Sequence, residues 1–266
     1  MRKSVLLLSA HRVDKFLTKN YFRLKHAFSN YGDVFVLLHW EDSKNPFFDI
    51  DGIAYIPFSV EDLNKLEYTP LYETIVPGSS HFALLWFYQL HPDYEYYWNI
   101  EYDVEFTGDW RLLFDAFQNI EADFIATHIE HFAENPGWYW WNSYQGVSLH
   151  IPLQKRIRSF NPIYRISWQA LHFMHHFQKA GNCGHYELVL PTALYYSNFS
   201  LLDFGGKGSF TLTGYEERFY YVDACSVAPF YLGTMRHKPN FNLNVLSNVP
   251  NKLFHPVKHN NDSCKS

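Results

Sequence analysis

Charge is scarce in this chain of 266 residues. Asp, Glu, Lys and Arg together make up 18%, against about a quarter in an ordinary soluble domain. The balance is also slightly acidic, with 22 Lys and Arg against 27 Asp and Glu, so 22 − 27 = −5. The basic footprint that holds a phosphate backbone is missing, which excludes nucleic acid as the partner. Cysteine is equally sparse: Cys183, Cys225 and Cys264 are odd in number and share no close spacing. That rules out a disulfide framework and a structural zinc site and fits a reducing compartment. No apolar run approaches the ~18 residues of a membrane span. The opening residues 1–12 imitate a secretion leader, but their apolar run is short and meets His11, Arg12 and Asp14 at once. The expectation is therefore a cytoplasmic protein, with peripheral association at the inner membrane face left open. The 15 histidines are scattered and show no HExxH-type spacing.

What the chain has in excess is aromatic rings. Phe 24, Tyr 20 and Trp 8 amount to 20% of the residues, and so much ring surface excludes disorder. A Phe- and Tyr-packed core explains most of them. Exposed Trp and Tyr would instead stack on flat, weakly charged ligands such as sugars or nucleobases. The length holds one large domain or two modest ones and buries a full core without staples.

Residues 4–9 read as a continuously apolar strand, and Phe16, Leu17, Tyr21, Leu24 and Phe28 follow at helical spacing. A second apolar strand at 34–39 completes a βαβ unit, which requires a parallel pair. A third strand is expected at 53–58. A helix through Phe82, Leu85, Trp86 and Leu90 would be capped by Ser79 or Ser80. A strand then runs over 94–100, and Asp109 caps a helix with Leu112, Leu113, Ala116 and Phe117 inward. Strand 123–128 follows, and beyond it the pattern weakens into a Trp-rich loop. Helices at 167–180 and from Tyr186 come next, then short strands and a polar tail at 259–266. Alternating strands and helices without internal repeats predict an α/β fold with a mainly parallel sheet, as a single domain over residues 1–258.

The most informative run is WNIEYDV at 98–104. Ligands of open α/β sheets bind at the carboxyl ends of strands. Glu101 and Asp103 sit at such an end, one residue apart, so that both side chains project the same way. Two carboxylates so placed suit a hard divalent cation that also holds a diphosphate. The structural alternative is that one caps the next helix and the other is solvated.

Here the sequence resembles a family. A βαβ start, a strand ending in acid-x-Asp and a Gly-Asp-Trp helix start are similar to the GT-A glycosyltransferases, and YYWNIEYDVEFTGDW at 96–110 is similar to bacterial and fungal members. The resemblance implies a GT-A-like, Rossmann-like sheet flanked by helices, a nucleotide-sugar donor and a carbohydrate acceptor. It divides the chain into a nucleotide-sugar half, about 1–128, and an acceptor half, 129–258. It further implies Mn²⁺ or Mg²⁺ at Asp103, with Glu101 standing where many members have the first Asp. His255 in KLFHPVKH is implied as a third metal ligand, with Lys258 meeting phosphate. Ser9, His11 and Arg12 fall where the family holds the base and ribose. Glu187, in GNCGHYELVLPTAL, matches the base of inverting transfer; the alternative is a carboxylate stabilising a helix dipole. Trp138, Trp140 and Trp141 fall in the acceptor region, where a buried aromatic cluster is the other reading. Arg156, Arg158 and Arg165 form a basic set, either meeting an anionic acceptor or facing solvent. Two rivals remain. A sugar nucleotidyltransferase would want a Gly-rich basic loop after the first strand, and LSAHRVDK has no Gly. A non-catalytic carbohydrate-binding protein would account for the aromatics but not for the βαβ opening.

Overall fold

The computed structural model describes residues 3–40, 51–73, 75–223, 233–246 and 248–258; the expected tail at 259–266 and Cys225 and Cys264 lie outside them. The first half runs β1 (Ser4–Ala10), α1 (Lys15–Phe28), β2 (Gly32–His39), β3 (Tyr55–Phe58), α2 (Val60–Asn64), α3 (Phe82–Leu90), β4 (Tyr96–Glu101), β5 (Glu105–Phe106), α4 (Trp110–Phe117) and β6 (Phe124–His131). It continues with β7 (Ile157–Ser167), α5 (Trp168–Lys179), α6 (Tyr186–Tyr196), β8 (Leu201–Asp203), β9 (Phe241–Asn242), α7 (Leu243–Leu246), β10 (Leu253–Phe254) and β11 (Val257–Lys258).

The expected α/β architecture is present. Seven strands form one sheet in the order β3-β2-β1-β4-β7-β6-β8, and β7 alone runs antiparallel to its neighbours. β1 is apolar throughout because both its faces are covered, and Val5, Leu6, Leu7 and Leu8 are almost wholly buried. Asp14 starts α1 by accepting the N–H groups of Phe16 and Leu17 at 2.9 and 2.8 Å. Leu17, Tyr21, Leu24 and Phe28 then line its buried stripe. That stripe and Trp110, Leu113, Phe114 and Phe117 of α4 pack on one sheet face; Phe82, Leu85, Leu171, Met174, Leu188 and Val189 of α3, α5 and α6 pack on the other. Among the described residues, no helix is long and apolar enough to cross a membrane.

From β1 the chain moves outward through β2 to β3, then returns to the other side of β1 as β4. The strand order therefore reverses between β1 and β4, and their carboxyl ends frame the crevice where open α/β sheets take ligands. Ser9 lies directly opposite Glu101 in this pairing.

Several expectations need correction. Neither Ser79 nor Ser80 caps α3: its N-cap is His81, without a side-chain bond, and the Ser79 hydroxyl instead accepts the N–H of Leu71. Leu112 is half exposed rather than inward, since the buried stripe of α4 falls at 110, 113, 114 and 117. The expected basic set is dispersed: Arg156 precedes β7, a long strand without a clear sequence pattern, and Arg158 and Arg165 lie on it. Pro162 obscured it, because proline breaks a ladder; here it sits at an irregularity between the Ile125 and Thr127 pairings. Arg165 is 1% exposed and donates to the carbonyls of Phe117, Ile120 and Ala122, while lying 4.1 Å over the Tyr96 ring. It terminates α4 and meets no acceptor.

Candidate active site

Glu101 ends β4, and the chain then turns tightly, the Val104 N–H bonding the Glu101 carbonyl at 3.0 Å. Tyr102 remains tied to β1 through its N–H to the Ser9 carbonyl at 3.0 Å. The partner that completes the cluster comes from the far end of the sequence. β10 pairs antiparallel with β5, setting Leu253 against Phe106 and Phe254 against Glu105. Three residues after Phe254 the Val257 N–H bonds the Asp103 carbonyl at 2.9 Å. Held on both sides in this way, His255 presents Nε2 at 3.3 Å from Glu101 Oε2 and 3.4 Å from Asp103 Oδ1. The three ligand atoms all lie within 4.8 Å of one another.

The other ring nitrogen decides the tautomer. His255 Nδ1 lies 2.8 Å from the Arg236 carbonyl, and a carbonyl only accepts, so Nδ1 carries the proton. In the neutral ring the lone pair is therefore on Nε2, aimed at both carboxylates, as a metal ligand requires. Burial lowers the His255 pKa, but hydrogen bonds to Asp103 and Glu101 outweigh it and push it up to about 10. Asp103 moves the opposite way: burial raises it, and the His255 contact together with the charge of Lys258 brings it below the usual carboxylate range. A cation entering the cluster would displace the Nε2 proton.

The segment bearing Arg236 is itself anchored. The His255 N–H bonds the Thr234 carbonyl at 3.0 Å, and His128 Nε2 lies 2.8 Å from the Met235 carbonyl. His128 adopts φ +49° at the irregularity in β6, and the Tyr220 hydroxyl accepts its backbone N–H at 2.9 Å. This backbone scaffold has no local sequence signature.

Glu187 lies in the first turn of α6, 7% exposed. Burial pushes its pKa up to about 8, with the nearby Arg158 charge opposing, and it also feels Glu101 and His255. The expected base and the expected metal ligands thus share one neighbourhood. Its Oε1 accepts a long 3.5 Å bond from the Asn161 N–H. Arg158 is engaged with Glu130 at 2.7 Å and lies over Trp138.

The remaining expected residues divide. His11 stands edge-on to Tyr102 at 5.1 Å; partial burial and the Arg12 charge lower its pKa, while Asp103 opposes them. Arg12 lies over the same Tyr102 ring and pairs with Asp14 at 3.0 Å. Half-buried Lys258 adds a positive charge felt by both Asp103 and His11. Ser9 is in place, but its hydroxyl donates to Asn99 Oδ1 at 2.7 Å. Among the tryptophans, Trp140 stacks on His185 with centroids 4.6 Å apart at 18°, and Trp138 meets that same ring edge-on. Trp141 is removed from the platform: it is 2% exposed and its Nε1 donates to the Asn135 carbonyl. Arg156 likewise serves the fold, donating to the carbonyls of Ile151 and Trp141. Two exposed rings extend the platform without having been singled out, Tyr139 at 79% and Tyr72 at 48%, each edge-on to Trp140.

Residues 59–120 match the family described as "Protein of unknown function (DUF3405)". The match includes Glu101 and Asp103 but stops before Glu187 and His255. No curated protein matches the chain. Among solved structures, the galactosyltransferase LgtC in complex with donor and acceptor sugar analogs is 11% identical, with 91% of this chain and 76% of that chain covered and a TM-score of 0.46. The inositol-1-phosphate CTP transferase from T. maritima is 10% identical over 77% of this chain and 86% of that one, with a TM-score of 0.38. A glycosyltransferase involved in the glycosylation of the major capsid of PBCV-1 is 9% identical over 64% and 63%, with a TM-score of 0.30. All three TM-scores lie below 0.5, so the functional case rests on the site itself.

Proposed function

We propose that this protein is a glycosyltransferase that moves a sugar from a nucleotide-diphospho-sugar to a hydroxyl of a carbohydrate acceptor. The observation that carries the reading is the convergence of Glu101, Asp103 and His255 at the sheet's reversal point, with His255 Nε2 within 3.4 Å of both carboxylates and its Nδ1 tied to the Arg236 carbonyl. Two carboxylates and one imidazole fit a divalent cation, and the nitrogen ligand favours Mn²⁺ over Mg²⁺, which prefers oxygen alone. Bound there, such an ion supplies Lewis-acid stabilisation of the departing diphosphate. Lys258 and Arg12 add positive charge on the same side, and His11 and Tyr102 offer ring faces for the nucleoside.

Glu187 is placed to take the proton of the attacking hydroxyl. A pKa near the working pH is what a general base needs, and burial provides it. Trp140, Trp138, Tyr139 and Tyr72 form the seat for the acceptor, and they hold it by positioning rather than by charge. The loop after β1 has no glycine, which favours sugar transfer over nucleotidyl transfer.

A melting screen tests the proposal, with UDP-, GDP-, CMP- and dTDP-sugars each in the presence and absence of Mn²⁺. A ligand that binds only the folded chain raises its melting temperature. At least one donor is expected to do so, and only with the metal. Silence across the panel would favour the carbohydrate-binding alternative.

A further inference from the structure

Resting on the transfer reading above, we propose that His185 is a positioning residue that couples the aromatic acceptor seat to Glu187. Three contacts meet on this one ring, which is 6% exposed. Its face lies against Trp140 at 4.6 Å. Its Nδ1 accepts the Glu187 N–H at 3.4 Å and lies 3.7 Å from Glu187 Oε2. Its own backbone N–H donates to the Ser143 hydroxyl at 3.0 Å, in the 3-10 turn Tyr139–Ser143 that carries Trp140.

The chemistry of these contacts gives direction to the coupling. A ring nitrogen that accepts a backbone N–H carries the lone pair, so the His185 proton is on Nε2. Burial, with His237 adding to it, lowers the pKa to about 4, so the ring is neutral at pH 7 and its Nδ1 lone pair is free to accept the Glu187 N–H. The Glu187 N–H is in the first turn of α6, where helices provide no internal partner. Pro191 also lacks the N–H that would have bonded the Glu187 carbonyl four residues back. The Glu187 N–H therefore has the His185 ring as its partner, and that ring lies stacked on Trp140. An acceptor that settles on Trp140 fixes the ring, and with it the direction of Glu187.

A double-mutant cycle on the full chain tests this, with hydrogen exchange at the Glu187 amide as a readout that needs no activity. Trp140→Ala is expected to speed that exchange several-fold in the natural background. His185→Asn keeps a good cap on the helix but removes the stacking face, and in that background Trp140→Ala should add nothing. His185→Gln serves if the Asn variant does not fold. Transfer from a UDP-hexose with Mn²⁺ to a methyl glycoside gives the second readout. There Trp140→Ala should lower kcat and raise the acceptor KM in the natural background, but only raise KM beside His185→Asn. Additive effects in both readouts, or a Trp140→Ala variant changed in KM alone, would overturn the coupling and leave the transfer reading intact. Non-additive exchange in a chain that transfers nothing would keep the coupling and reject the reaction.

Discussion

At the residue scale, Glu187 separates a catalytic carboxyl from a structural one. Its pKa is about 8 when folded and 4.5 in its ordinary state, so between those values the folded chain holds a proton that the unfolded chain has released. Stability from this group is complete below about pH 4.5 and is lost as pH rises through about 8. Glu187→Gln removes the charge that burial penalises, so the variant should melt higher than the natural protein at pH 9 and nearly equal to it at pH 4. The expected gain is at most a few kcal/mol (about 1.4 per pKa unit). If Glu187 is the base, the same variant loses transfer by ~10²–10⁴-fold, and the natural enzyme's rate climbs with pH toward the Glu187 pKa. Better folding with worse turnover is the signature expected. Transfer within a few-fold of natural would reject the base role, whatever the melting curves show. The base role of this residue entered through the family resemblance, since a Glu at the start of a helix by itself reads equally as a carboxylate stabilising the helix dipole. His185, two residues before it, stands in the same motif without a sequence signal of its own, since nothing in the sequence predicts a stack on Trp140.

At the scale of elements, β7 is where sequence reading failed and where packing accounts for the failure. Its run of Arg, Asn and Pro denies both the alternating and the continuous apolar pattern, yet it lies between β4 and β6 with most residues buried. Arg165 tolerates that position because its guanidinium is spent on the carbonyls at the end of α4 and on the Tyr96 face. Arg165→Met should therefore destabilise the chain by roughly 3–5 kcal/mol, since buried carbonyls lose their donors. Arg165→Lys should recover only part of this, because an ammonium cannot match the planar fork. Chemical denaturation measures both, and a Met variant as stable as the natural chain would refute the assigned role. By contrast, α1 was readable from the helical spacing of its apolar residues and α4 from its Asp109 cap.

At the scale of the whole molecule, the cluster of Glu101, Asp103 and His255 joins positions more than 150 residues apart in sequence. Glu101 and Asp103 were legible because a strand end and two acids are local features. His255 entered only through the family resemblance, since β5 pairing with β10 and the Asp103 carbonyl bonding Val257 are long-range events with no local trace. The βαβ opening and the parallel sheet followed from apolar runs, and α5 and α6 from helical spacing, whereas residues 129–166 and those beyond 200 offered little periodicity. The account stands on whether these three side chains bind a divalent cation together. Calorimetric titration of Mn²⁺ alone into the full chain, compared with Asp103→Asn and His255→Gln, measures that directly. The natural chain should show one saturable site, and each variant should bind at least ~10-fold more weakly, as loss of a ligand or its support requires. An Asp103→Asn variant with unchanged Mn²⁺ affinity would contradict the account at its centre.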